Sequence, residues 1–185
     1  MNKCELRRIN KEKRRSLSGD EVKERSKRAS QFFLESDIYK NTKTIMLYYP
    51  LGNETDTSYI SKCALDDKKT IVYPITNMKT NELTAVIADD NTSFSKGGYS
   101  VFEPESYKTI DKNKIDVIIV PGIAFDKKGY RVGFGKGCYD RFLGDVNALK
   151  IGFCYSFQIV DTISFDEHDI CMDYLISEDG LVNCE

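Results

Sequence analysis

The amino-acid sequence predicts an α/β protein in which a mostly parallel sheet is covered on both faces. Short, continuous apolar runs typical of buried strands alternate with segments of helical periodicity. The chain has 185 residues, which suits one domain, and it shows no internal repeat or Pro/Gly/Ser-rich linker. We therefore expect residues 1–185 to form a single domain, with a basic helical arm over about residues 1–17.

Helices are predicted where apolar residues recur at helical spacing and capping residues precede them. Ser18 and Glu21 have the spacing of a capping box, and Val22, Ala29 and Phe33 continue an apolar stripe behind it. The predicted helices cover residues 2–16, residues 18 to about 35, a segment capped by Asp56-Thr57, and a segment whose first turn is residues 139–143.

Strands are predicted from the apolar runs, over residues 44–49, 70–73, 82–87, 115–120, 149–154 and 172–176. Pro50 and Pro74 are expected to end the first two strands, and Pro121-Gly122 the fourth. Ligands in such sheets sit outside the carboxyl ends of the strands. The candidate ligand loops are therefore residues 50–57, 121–140 and 155–173.

The charge of the chain is unevenly distributed. Residues 1–28 hold 11 Lys/Arg and 5 Asp/Glu, a balance of +6, so the remainder carries −8 of the net charge of −2. One interpretation is an arm that meets an anion, either a nucleotide or a nucleic acid. The other is a solvated helix face, and charge alone leaves both open.

Composition excludes several classes of protein. No apolar h-region begins the chain and no apolar run approaches the length of a membrane span, so we expect a cytoplasmic protein without a membrane partner. The six cysteines contain no Cys-x-x-Cys pair and are expected to be reduced thiols. His168 is the only histidine of the sequence, which argues against a Cys/His zinc site.

The segment from Arg131 to Asp140 carries the strongest chemical signal. Glycines at 133, 135 and 137 alternate through it, with Lys136 among them, and a helix start follows. Glycine lets backbone N–H groups approach an anion, and Arg131 and Lys136 add positive charge. Asp140 could hold Mg²⁺ beside bound phosphates. The pattern matches neither a Walker A loop nor the Rossmann spacing, and the alternative is a flexible loop whose glycines serve turns.

The loop after the first strand combines aromatic and acidic residues. Tyr49 and Glu54 suit a flat ring that bears several N–H donors, because the ring stacks and the carboxylate accepts hydrogen bonds. Asp56 is more simply a helix cap. His168-Asp169 could be a catalytic pair, but a lone histidine is more often a structural hydrogen-bonding residue, and we favour that interpretation of His168.

Taken together, these motifs resemble the 5-formyltetrahydrofolate cyclo-ligase (methenyltetrahydrofolate synthetase) family. The signature is Pro121-Gly-Ile-Ala-Phe-Asp126 followed by Gly129-Tyr-Arg-Val-Gly-Phe-Gly-Lys-Gly-Cys-Tyr-Asp-Arg-Phe-Leu143. Supporting matches are Lys3-x-x-Leu6-Arg7, Tyr49 with Glu54-x-Asp56-Thr57, Gly98 to Pro104, and His168-Asp169 with Asp173. Cys138 stands where the family usually has a second tyrosine.

The resemblance implies an α/β/α sandwich with a Rossmann-like sheet and an ATP- and Mg²⁺-dependent ligase. That enzyme closes 5-formyltetrahydrofolate to 5,10-methenyltetrahydrofolate through an imidate phosphate. By position it implies catalytic roles for Arg131 and Lys136, folate contacts from Tyr49 and Glu54, and Mg²⁺ at Asp140 and Asp173. It implies ATP contacts from Lys3, Cys4, Glu5, Leu6, Arg7, Arg131, Val132, Gly133, Phe134, Gly135, Lys136, Gly137, Cys138 and Tyr139.

Two other functions remain open from the residues alone. One is another phosphate-binding α/β enzyme, such as a sugar-phosphate isomerase, which would need neither ATP nor a pocket at Glu54. The other is a nucleic-acid-binding module that uses the basic arm, whose affinity would fall steeply with salt. With the family resemblance we expect a monomer that binds folate and ATP and no nucleic acid.

Overall fold

The structure is a computed structural model that describes residues 1–105 and 108–184. Its α-helices are α1 (Lys3–Ser16), α2 (Gly19–Glu35), α3 (Asp37–Asn41), α4 (Ser58–Asp66) and α5 (Cys138–Leu143). Its strands are β1 (Thr44–Met46), β2 (Thr70–Asn77), β3 (Glu82–Ala88), β4 (Phe94–Lys96), β5 (Phe102–Pro104), β6 (Val117–Val120), β7 (Ala124–Asp126), β8 (Arg131–Val132), β9 (Leu149–Phe153), β10 (Ile159–Val160), β11 (Tyr174–Ser177) and β12 (Gly180–Asn183).

The central sheet has the order β12-β11-β9-β6-β1-β2-β3. The five inner strands pair in parallel, and only β12 and β3, at the two edges, pair antiparallel. The prediction of a mostly parallel sheet is confirmed. From β1 the chain moves to β2 on one side, and it later places β6 and β9 on the other side. This reversal of strand order puts a topological switch point between β1 and β6, where ligands of such sheets bind.

Both faces of the sheet are covered, as the fold class requires. On one face α2, α3 and α4 bury Phe33, Tyr39 and Ile60 against the strands. On the other face the cover is α5 together with a smaller sheet of order β10-β7-β8, whose Phe125 packs beside Phe142 of α5. Helix α5 has only six residues, so the small sheet supplies much of this second layer.

The predicted caps are present at the helix starts. Ser18 and Glu21 form a reciprocal capping box at α2, as predicted. Asn2 and Glu5 form another at α1, which the sequence analysis did not anticipate. The Asp56 carboxylate accepts from Ser58 N at 2.8 Å and caps α4, whereas the Thr57 side chain makes no cap bond.

Strand ends differ from the predictions around the prolines. Strand β1 ends at Met46 rather than at residue 49, although Leu47 and Tyr48 stay buried. Strand β2 passes through Pro74 and continues to Asn77, so the predicted stop there is wrong. The reason is that β1 pairs with β2 only as far as Val72, and beyond it β2 acts as an edge strand that tolerates a missing N–H.

Helix α1 packs across the small sheet. Its Leu6 is buried with Ala124 of β7, Val132 of β8 and Ile163. This contact fixes the basic arm beside the segment that follows β8. In the described parts of the chain, no helix is both long and apolar enough to cross a membrane.

Candidate active site

A cavity of about 570 Å³ opens at the carboxyl ends of β1 and β6, which is the switch point of the sheet. Five parts of the chain line it: α1, the loop after β1, the β2–β3 pair, the β4–β5 hairpin, and the segment after β6 with Asp169. The lining residues are Lys3, Arg7, Tyr48, Tyr49, Leu51, Glu54, Pro74, Thr76, Leu83, Tyr99, Val101, Phe102, Glu103, Pro121, residues 131–140 and Asp169.

The glycine segment forms one wall of this cavity. Gly135 and Gly137 have φ angles of 94° and 64°, a backbone conformation that non-glycine residues adopt at a cost. Lys136 between them is exposed, and its Nζ lies 5.7 Å from the centre of the Tyr99 ring. All nine residues from Arg131 to Tyr139 reach the cavity wall. Burial raises the pKa of both the Cys138 thiol and the Tyr139 hydroxyl, so both groups are neutral at physiological pH.

Helix α1 brings two cations to the same wall. Arg7 Nε donates to Gly133 O at 2.9 Å. Lys3 Nζ lies 2.7 Å from Asp169 and 3.1 Å from Asp166, and these carboxylates, Asp169 above all, raise the pKa of Lys3. The three residues between Lys3 and Arg7 point elsewhere: Cys4 is exposed, Glu5 caps α1 and Leu6 is in the core. The structure therefore brings Lys3 and Arg7 to the cavity, and it does not bring Cys4, Glu5 and Leu6 there.

Arg131 is buried, and two of its nitrogens are already engaged. Nη2 donates to Asp140 Oδ1 and Nη1 donates to Ile170 O, each at 2.9 Å. Ile170 N in turn donates to Asp140 Oδ1 at 3.2 Å. The guanidinium thus ties the start of α5 to residue 170 while it faces the cavity, and its charge is partly offset by Asp140.

The two predicted metal ligands lie in different places. Asp140 lines the cavity, and the hydrogen bonds that described residues make to it fall on Oδ1. Asp173 lines a separate groove of about 380 Å³ and accepts from Lys150 N at 2.7 Å. It precedes β11 and so lies at the amino end of a parallel strand, opposite the carboxyl ends where the cavity opens. The structure does not bring Asp173 to the cavity, and among the described residues no three His, Cys, Asp or Glu side chains cluster to hold a metal.

The loop after β1 places Glu54 and Tyr49 at the other end of the cavity. Glu54 is buried, with Oε1 at 3.3 Å from Arg14 Nη1 and Oε2 accepting from Leu51 N at 2.9 Å. Burial raises the pKa of the Glu54 carboxyl, and the Arg14 charge and the Leu51 hydrogen bond oppose that rise. Tyr49 is about one-third exposed and packs against Phe102, with ring centres 5.2 Å apart.

The β4–β5 hairpin contributes a wall that the analysis of residue patterns missed. Tyr99, Val101, Phe102 and Glu103 all line the cavity. Tyr99 and Ser100 have positive φ angles of 54° and 63°, and the Glu103 carboxylate fixes the hairpin to β2 by accepting from Thr76 N at 2.8 Å. The available signal was the Gly98–Pro104 match, which covers a 3₁₀ turn (Gly98–Ser100) and the three-residue strand β5, both too short to show a periodic pattern.

His168 and Asp169 have different surroundings despite being adjacent. The His168 side chain is 88% exposed and pairs with Glu167 at 3.3 Å, away from the cavity. Asp169 lines the cavity and holds Lys3. A catalytic His168-Asp169 pair is not assembled at the cavity. The structural hydrogen-bonding role that we favoured for His168 is not supported either, because its side chain is exposed and its contact is with the adjacent Glu167.

The cavity therefore has two chemically different ends. One end combines backbone of the glycine segment with Lys3, Arg7, Arg131 and Lys136, which suits a chain of phosphates. The other end combines apolar and aromatic side chains with the buried carboxylate of Glu54, which suits a flat ring with N–H donors.

Comparison with known proteins gives a consistent result. The sequence model of the 5-formyltetrahydrofolate cyclo-ligase family matches residues 1–178. A 5-formyltetrahydrofolate cyclo-ligase of Mycoplasma pneumoniae is 34% identical over 140 residues, which cover 74% of this chain and 74% of the relative. The one of Mus musculus is 27% identical over 183 residues, which cover 92% of this chain and 90% of the relative.

Two solved structures are similar over nearly their whole length. The Aquifex aeolicus 5,10-methenyltetrahydrofolate synthetase has a TM-score of 0.87 and 32% sequence identity, covering 100% of this chain and 94% of its own. The Mycoplasma pneumoniae 5,10-methenyltetrahydrofolate synthetase has a TM-score of 0.78 and 30% identity, covering 96% and 99%.

Proposed function

The chain belongs to the 5-formyltetrahydrofolate cyclo-ligase family, and on that premise we propose that it converts 5-formyltetrahydrofolate and ATP to 5,10-methenyltetrahydrofolate, ADP and phosphate. It is an enzyme, an ATP-dependent ligase of folate metabolism. The observation that carries the detailed proposal is the single cavity with a cationic, glycine-rich end and an aromatic, acidic end.

ATP binds at the glycine-rich end in this proposal. Backbone N–H groups of residues 133–137 face the phosphates, and Lys3, Arg7 and Lys136 surround them with positive charge. The hydrogen bond from Arg7 to Gly133 supports this arrangement because it already holds α1 against the loop. The basic arm then contributes to nucleotide binding through its first two turns.

The folate binds at the other end. Glu54 accepts hydrogen bonds from the ring N–H and the exocyclic amine of the pterin, since each carboxylate oxygen keeps a lone pair beyond its present partner. Tyr49 and Phe102 offer aromatic faces beside it. The formyl group then points toward the phosphate end of the same cavity.

Ring closure needs activation because a formamide oxygen is a poor leaving group. The formyl oxygen attacks the γ-phosphorus of ATP, the bond from phosphorus to the ADP oxygen breaks, and an imidate phosphate forms. N10 then attacks the formyl carbon and loses its proton while the carbon–oxygen bond breaks and phosphate departs. The contribution of Arg131 and Lys136 is to position the phosphoryl group and to offset its charge in the transition state.

The residues at the cavity fit a Mg²⁺ ion that is bound together with ATP. Mg²⁺ is commonly held by one or two carboxylates plus substrate phosphates and water. Asp140 is such a carboxylate, at the phosphate end, with its described hydrogen bonds confined to Oδ1. We propose that Asp140 holds the ion and that Asp173 does not. When bound, the ion neutralises phosphate charge.

The direct test is incubation of the protein with 5-formyltetrahydrofolate and MgATP. We expect methenyl absorbance to rise and ADP to appear in equal amount, with neither product formed when one substrate is left out. ADP formation without methenyl product would contradict the proposed reaction.

A further inference from the structure

We propose that Arg14 is a positioning residue for folate recognition, which keeps Glu54 ionised and directed into the cavity. The inference rests on the proposed function, because it concerns how the folate end works. Arg14 does not line the cavity; it stands behind Glu54, on the last turn of α1.

The contact between the two side chains is buried and one-sided. Arg14 Nη1 lies 3.3 Å from Glu54 Oε1, and the two side chains are only 9% and 6% exposed. The Asn53 side chain donates to both Arg14 O and Leu17 O at 3.0 Å, so the loop that carries Glu54 is attached to the end of α1. Two kinds of contact therefore hold Arg14 and Glu54 together. One is the ion pair between their side chains, and the other is the pair of hydrogen bonds from the Asn53 side chain to the α1 backbone.

This pair is poorly built for stability alone. Arg14 reaches one carboxylate oxygen rather than both, and its buried Nε has no hydrogen-bond partner in the described structure. A buried ion pair with incomplete hydrogen bonding stabilises a fold little, if at all, relative to apolar side chains of similar size. The pair is explained if folate binding requires Glu54 to be ionised, because the Arg14 charge then favours the carboxylate form.

Glu54 needs a cation because burial favours its protonated form. The titratable groups that face it besides Arg14 are Tyr48 after β1, Tyr139 on α5, and Tyr155, whose hydroxyl donates to Glu54 O at 3.3 Å. Burial raises the pKa of all three phenols, and that of Tyr155 reaches about 12, so they stay neutral. Of the charged groups described around Glu54, Arg14 is the one that favours the carboxylate.

Protonation of Glu54 would weaken folate binding directly. A carboxylic acid places an O–H donor where the pterin also presents N–H donors, so one hydrogen bond is replaced by a repulsive contact. Folate affinity should then be present above the pKa of Glu54 and lost as pH falls through it. Removing the Arg14 charge raises that pKa and moves the loss to higher pH.

The test compares Arg14→Met, which removes the charge at similar length, with Arg14→Lys, which keeps it. Folate affinity is measured without ATP from about pH 6 to about pH 9, and the Glu54 carboxyl is titrated by ¹³C NMR without ligand. In Arg14→Met we expect a raised carboxyl midpoint and a folate affinity that falls by up to about tenfold per pH unit below it. Arg14→Lys should keep the carboxyl midpoint and the pH profile of folate affinity close to those of the unmodified protein, and ATP affinity should be unchanged in both variants.

Arg14→Gln carries the same test if Arg14→Met does not fold, and Arg14→Met combined with Glu54→Gln is the matched control without either charge. That double variant should bind folate weakly at every pH. A carboxyl midpoint that stays unchanged in the charge-free variants, or equal losses for ATP and folate at all pH values, would overturn the proposal. The NMR midpoint requires no folate, so it separates failure of this inference from failure of the cyclisation assay.

Discussion

Arg131 and Asp140 show how a residue can serve a cavity while holding the fold. Sequence reasoning predicted Arg131 as a phosphate contact, and in the structure its Nη2 also lies 2.9 Å from Asp140 while its Nη1 donates to Ile170 O. Residue types and spacing indicate which side chains carry charge, and they do not reveal which charges are already paired. The pairing of Asp173 could not be predicted for the same reason, because its partner Lys150 comes from a neighbouring strand.

The placement of the two aspartates gives a prediction at the residue scale. Asp140→Asn should raise the Mg²⁺ concentration for half-maximal cyclisation by about tenfold or more, since it removes the charge beside the phosphates. Asp173→Asn, the matched control, should leave the Mg²⁺ titration unchanged, because Asp173 lies at the amino end of β11. A shift of similar size in both variants would restore Asp173 as a metal ligand.

At the scale of elements, patterns that repeat within one segment were predictable and contacts between distant segments were not. The capping box at Ser18 and the alternating glycines are local signals, and both α2 and the glycine wall are where they were expected. The β4–β5 hairpin has strands of three residues each, too short for periodicity to appear. Its position over the cavity depends on Glu103 meeting Thr76, a contact between separate elements.

The glycine wall itself can be tested as an element. An alanine Cβ at position 135 would lie 3.6 Å from Arg7 Nη2, so there is room for it. Because Gly135 has a φ of 94°, Gly135→Ala would nevertheless strain the backbone by about 1–2 kcal/mol. We expect ATP to bind about tenfold more weakly, because strain distorts the backbone that we propose faces the phosphates, while folate affinity stays the same. Isothermal titration of each ligand measures both.

Gly180→Ala provides the control for that variant. Gly180 also has a positive φ, 144°, with open space around it, but it is the first residue of β12, outside the cavity lining. It should lower the melting temperature without changing ATP affinity. An equal loss of ATP affinity in both alanine variants would mean that general instability, and not the phosphate wall, explains the Gly135 result.

At the scale of the whole molecule, the strand order explains why one cavity has both a cationic, glycine-rich end and an aromatic, acidic end. The loop after β1 and the segment after β6 meet at the switch point, so Glu54 and the glycine wall face one space although they are distant in sequence. The sequence predicted both loops and the parallel sheet, but not the strand order that joins them. Helix α1 spans the two ends, with Lys3 and Arg7 at one and Arg14 at the other.

The central claim is that folate binds at the Glu54 end of the cavity and ATP at the glycine-rich end. It is tested most directly by titrating ATP and folate separately into the Glu54→Gln variant, with Lys136→Ala as the reciprocal variant. Glu54→Gln replaces an acceptor by a donor, so folate affinity should fall by about two orders of magnitude while ATP affinity hardly changes. Lys136→Ala should show the reverse, since a charge-assisted phosphate contact contributes about 1.5–3 kcal/mol. Losses shared equally by both ligands in folded Glu54→Gln would contradict the account, because Glu54 would then only hold its loop in place.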